Sequence, residues 1–175
     1  MSPMTLERLP RRPEPVRGAT ATLALLGALV PAALLAATVR SAVPLAAVPT
    51  VIFGVPAMTA PALYVAMGLR GHAPPLTTVA GALGRGLLAL ALVQLGLAAP
   101  VGFLVATATP STARTLIAGA MLIAGAVAAL TLDGALVRGD ATRGTWRAPL
   151  VWAWMTITAV IAARLYLEIE VGALS

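Results

Sequence analysis

Five stretches of the chain, near residues 19–39, 42–69, 86–106, 115–137 and 148–167, are almost wholly apolar, and none carries more than one charge. Crossing about 30 Å of hydrocarbon takes roughly 20 helical residues, each advancing about 1.5 Å. All five stretches reach that length. A spanning segment has no water to satisfy its backbone, so it must be a helix or a strand of a closed barrel. Barrel strands alternate apolar and polar residues, and no such alternation occurs here. The sequence therefore predicts an all-α fold, a polytopic integral membrane bundle of five transmembrane helices.

Composition agrees. Of 175 residues, 59% are hydrophobic and 10% charged, with a mean hydropathy of +0.94. Water-soluble domains carry about a quarter charged residues, so this chain could not cover its own surface in water. A disordered chain, a soluble enzyme domain and a soluble nucleic-acid-binding module are thereby excluded. All twelve basic residues are arginine, and with six acids the net charge is +6. They stand singly or in small groups between apolar runs, where they read as topology determinants and contacts for anionic lipid head groups, not for nucleic acid. The lack of lysine beside abundant Ala, Gly and Pro points to a GC-rich bacterial source. With no cysteine in the sequence, disulfides, thiolate catalysis and cysteine-ligated clusters are excluded.

Residues 1–18 form a Pro/Arg-rich tail in which Pro3, Pro10, Pro13 and Pro15 oppose helix formation. An irregular cytoplasmic segment is expected. Arg11 and Arg12 ahead of an apolar run have the look of a twin-arginine signal, yet the run is long for a signal core and four more follow. The first helix is thus expected to be retained, within a transmembrane domain at 19–170 and ahead of a short external C-terminus at 171–175. Arg8, Arg11, Arg12, Arg17, Arg70, Arg85, Arg138, Arg143 and Arg147 fall on one side of the predicted membrane, and Arg40, Arg114 and Arg164 on the other. Cytoplasmic segments hold the arginine excess. That places the N-terminus inside and the C-terminus outside, in a bacterial inner membrane.

Two spans have unusual compositions. The second contains Pro49, Pro56 and Pro61, each of which removes a helical hydrogen bond. A kinked or interrupted helix is expected there, of the kind that exposes backbone groups to a ligand in transporters or simply bends to fit its neighbours. The fourth contains Gly119, and its Ala120, Ala124 and Ala128 recur every four residues. Such a stripe lets helix backbones approach closely, within the chain or against another subunit. Trp146, Trp152 and Trp154 at the inner end of the fifth span, and Tyr166 near its outer end, are placed as interfacial anchors.

Few polar side chains remain to carry chemistry. Asp133 lies about one turn before the inner end of the fourth span, where burying its charge is costly. Arg85, Arg70 or Arg138 on the same side could pair with it, as a structural bridge, a hinge or an ion site. Gln94 lies near the bilayer midplane, and its amide needs a partner such as a threonine or a carbonyl freed by a proline. Arg164 and Glu168 are spaced to pair at i,i+4, exposed and of small effect. His72 is the single histidine, and no paired-histidine zinc motif, nucleophile with its base, phosphate loop or dinucleotide fingerprint occurs. No cofactor or metal is implied, and an enzyme acting alone is not expected. The five-span, short-loop layout resembles membrane proteins of the Yip family in topology, with no residue or role carried over. The expected function is a non-catalytic subunit or scaffold of a larger inner-membrane complex, with lipids and other membrane subunits or copies of itself as partners. A small transporter or channel component with a broken second helix is the alternative, and a membrane enzyme comes third.

Overall fold

The computed structural model describes residues 17–69, 74–136 and 147–172. Their regular structure is five helices: α1 (Arg17–Val39), α2 (Val43–Leu69), α3 (Leu76–Thr107), α4 (Pro110–Leu136) and α5 (Arg147–Gly172). Each contains a segment long and apolar enough to cross a membrane. No strand occurs among the described residues.

Two very short connections set the topology. Between α1 and α2 only residues 40–42 intervene, and between α3 and α4 only Ala108 and Thr109. Links this short join antiparallel neighbours. Arg40 has a left-handed backbone (φ 55), and the Ser41 amide reaches back to the Ala36 carbonyl at 3.2 Å, closing α1 with a Schellman turn. Glycine is the usual occupant of that position. An arginine there sets its cation beside the negative end of the helix dipole. Ser41 Oγ then accepts the Val43 amide at 3.3 Å, at the start of α2. Thr109 starts α4 in a similar way: its hydroxyl accepts the Thr112 amide at 3.4 Å and its carbonyl accepts the Ala113 amide at 2.8 Å. Pro110 follows at the first helical position, where its missing N–H loses no intrahelical bond.

In packing order the helices run α4, α3, α1, α2, α5, with the broadest contact between α3 and α4 and a slight return contact of α5 on α4. The core has two parts. One gathers Ala28, Ala32 and Leu35 of α1, Val48 and Ile52 of α2, Ile117 of α4 and Tyr166 of α5. The other joins Leu63 and Met67, Ala82, Leu132 and Leu136, and Val151 and Met155 at the opposite end. Small residues set the helix spacing. A Cβ on Gly27 would collide with the backbone and side chain of Ala91, so α1 touches α3 there at backbone distance. Gly86 faces the Ala128 carbonyl, 3.4 Å from where its own Cβ would stand. Large apolar side chains such as Met58, Phe103, Leu122 and Val160 point outward. They are suited to lipid, which is as apolar as they are.

Four helices depart from expectation, the second in being uninterrupted. The second helix is unbroken from Val43 to Leu69, with Pro49, Pro56 and Pro61 inside it. Val48, Ile52, Val55, Leu63 and Met67 share its buried face, and with no water competing for the freed carbonyls the helix persists through its prolines. The third helix begins at Leu76 instead of residue 86. Gly81, Gly84 and Arg85 read as a loop, yet burial of Val79 and Ala82 offsets the roughly 1 kcal/mol each glycine costs in a helix. The fourth begins at Pro110 instead of residue 115, because Thr109 and Pro110 together start it. The fifth also runs further than expected, to Gly172.

Candidate functional site

Gln94 is the one buried polar side chain among the described residues, 2% exposed. It borders a crevice between α1, α3 and α4 lined also by Val30, Pro31, Leu34, Leu97, Val101, Ile117 and Ala120. The crevice leaves no room for a water molecule. Pro31 has no N–H to give the Gly27 carbonyl one turn earlier, so an amide and a proline-freed carbonyl lie in neighbouring turns of adjacent helices. An amide in apolar surroundings needs a hydrogen-bond partner.

Asp133 lies on α4 between Leu132 and Leu136, both buried in the core at that end of the bundle. Its Oδ1 is buried without a hydrogen-bond partner. Arg85 is exposed on α3, and no ion pair joins it to Asp133 among the described residues. Arg70 and Arg138 lie outside the described residues. At the other end Arg114 also has a buried, unpartnered Nε. Arg164 Nε and Glu168 Oε1 are 3.3 Å apart with both side chains largely exposed, the i,i+4 pair that their spacing predicts.

The aromatic residues divide. Trp152 is 43% exposed on α5, and Trp146 lies outside the described residues. Trp154 is half-buried and donates its indole N–H to the Thr59 carbonyl at 2.9 Å. One turn along, the hydroxyls of Thr59 and Thr158 meet at 3.2 Å. Tyr166 is only 8% exposed and packs with Leu35, Ile52 and Ile117 in the core. A helix-to-helix seam thus holds Trp154, and core packing holds Tyr166. Nothing in the spacing of Thr59 and Thr158, 99 residues apart, marks them as partners.

Of the small residues on α4, Ala120 and Ala124 are buried, Gly119 and Ala128 are half-buried, and Ala128 meets Gly86 of α3. The hydroxyls of Thr38, Thr50, Thr59, Thr107, Thr115, Thr131 and Thr156 bond carbonyls one turn back in their own helices. This is the usual way such groups are satisfied in lipid. Among the described residues no group of three or more Asp, Glu or His is placed to hold a metal ion.

Five spanning helices, short turns and an apolar outer surface define a multi-pass α-helical membrane protein. Comparison with protein-family models, curated proteins and solved structures finds no match.

Proposed function

We propose that the protein is a non-catalytic subunit or scaffold of a larger assembly in a bacterial inner membrane, with its N-terminus in the cytoplasm. The observation that carries this reading is close packing at the centre of the bundle. Gly27 rests on Ala91, and the crevice beside Gln94 excludes even water. A body built this way offers partners its outer helix faces, since its shortest turns hold only two and three residues. Its partners are membrane lipids with anionic head groups, other membrane subunits or further copies of itself, and nucleic acid is not among them. Gentle solubilisation followed by native mass spectrometry tests this directly. Co-purifying chains or a defined homo-oligomer are expected, and a lone monomer under several mild detergents overturns the proposal.

The buried amide of Gln94 favours a second reading, a small transporter or channel component. The unbroken α2 and the narrowness of the crevice weigh against it. Solute flux in liposomes that is lost on Gln94→Leu would establish transport. As a scaffold, the same variant should keep its partners and fold at least as stably, because leucine needs no hydrogen bond.

A further inference from the structure

We propose that α3 carries a binding site for the phosphate of an anionic phospholipid, formed by Arg85, the open backbone at Gly81 and Gly84, and the hydroxyls of Thr77 and Thr78. It lies in the leaflet at the N-terminal end of α3.

Helical spacing puts these residues on one side of α3. All five are exposed, while Val79, Ala82 and Gly86 turn toward the bundle. A Cβ at Gly81 or Gly84 would meet nothing within 4 Å, so the helix backbone is open there, beside Arg85. The hydroxyls of Thr77 and Thr78 make no hydrogen bond among the described residues, unlike those of the threonines that bond back into their own helices. Arg85 has no acidic partner among the described residues, Asp133 included. Among the described residues, two hydroxyls and a guanidinium without partners therefore border open helix backbone.

Depth selects the ligand. From Arg85 to Thr107, at the α3–α4 turn, the helix rises about 33 Å, close to one hydrocarbon thickness of about 30 Å. With Thr107 at one boundary, Arg85 lies at the other, and Leu76–Gly84 extends into the head-group layer. Leu88 and Leu92 continue the same face into the membrane, where acyl chains would lie. A guanidinium binds phosphate oxygens through parallel N–H donors, more strongly than a neutral donor does. The glycines allow the phosphate to come close to the helix. A head group with net negative charge, such as phosphatidylglycerol, fits this cation better than zwitterionic phosphatidylcholine.

Native mass spectrometry of the full chain in detergent, titrated with phosphatidylglycerol, phosphatidylcholine or inorganic phosphate, tests the site. Phosphatidylglycerol is expected to bind about tenfold or more tightly than phosphatidylcholine, the scale of one charge-assisted contact. Arg85→Gln, Gly84→Leu and Gly81→Leu should each remove most of that preference, whereas Arg85→Lys retains part of it. Gly96→Leu, at an equally open α3 position deeper in the membrane, should leave it unchanged. Thermal melts of each variant establish that it is folded. Three results overturn the assignment: equal binding of the two lipids, wild-type preference in both Gly→Leu variants, or inorganic phosphate binding as well as the lipid.

Discussion

At Gly27 a single added carbon has a large effect. Its hydrogen points at Ala91, and a Cβ would also stand 2.7 Å from the Ala91 carbonyl oxygen. Backbone cannot yield as a flexible side chain can, so α1 and α3 must separate. Gly27→Ala is expected to destabilise the bundle by about 1–3 kcal/mol, the usual range for overpacking, read as a lower thermal midpoint in detergent. Gly96→Ala meets open space and should be neutral or slightly stabilising, since alanine is the better helix former. Asp133 calls for the opposite expectation. With Oδ1 buried and unpartnered, the carboxyl contributes no bond that its loss would remove. Asp133→Asn should leave the midpoint unchanged or raise it, by up to about 2 kcal/mol. A clear fall in folded yield or midpoint would instead reveal a partner for the carboxylate.

At the scale of elements, the contact between α2 and α5 depends on few polar bonds, and these can be separated. Trp154 donates to the Thr59 carbonyl, and Thr158 meets the Thr59 hydroxyl. Trp154→Phe removes the N–H together with the indole's five-membered ring, so it should cost more than the about 0.6 kcal/mol typical of an interhelical bond in membranes. Thr158→Val should cost less, because the Thr59 hydroxyl still donates to the Val55 carbonyl at 2.9 Å. A double variant whose cost equals the sum of the two singles would mean that the contacts act independently. The five spans were legible because one length of apolar run suffices for each. The seams were not, because in lipid nearly every helix face is apolar and hydropathy no longer separates the inner face from the outer. Arg85 illustrates the loss: the sequence offers it, with Arg70 and Arg138, as a partner for Asp133, yet it is exposed on α3 with no ion pair to Asp133 among the described residues. The contacts of Trp154 and Tyr166 with other helices were missed because distance to a helix end carries no information about rotation around the helix. The small-residue stripe on α4 could be read from spacing, but its meeting with Gly86 of α3 required the three-dimensional register.

For the molecule as a whole, an odd number of crossings places the two ends of the bundle's chain in different compartments, and arginine decides which is which. Arg40, Arg114 and Arg164 gather at the end that holds the α1–α2 and α3–α4 turns, against nine arginines assigned to the opposite side. Arg85 stays with the larger group even though α3 starts earlier than the sequence suggests, because it lies about 33 Å from Thr107 along the helix. The excess predicts cytoplasmic placement of the α4–α5 connection and an external C-terminus. Alkaline phosphatase fused after Ser175 should therefore be active, and a fusion within residues 137–146 inactive. Replacing Arg138, Arg143 and Arg147 with glutamine would still leave six arginines against three, so the orientation should hold. Removing the tail arginines as well leaves too small a difference to dictate insertion, and mixed or inverted topology should then appear in the same assay. If the wild-type fusion after Ser175 were active only as a cytosolic reporter, either the orientation or the number of crossings would have to be abandoned. Fusions placed after each helix in turn would separate the two, since inversion switches every site and a lost crossing switches only those beyond it.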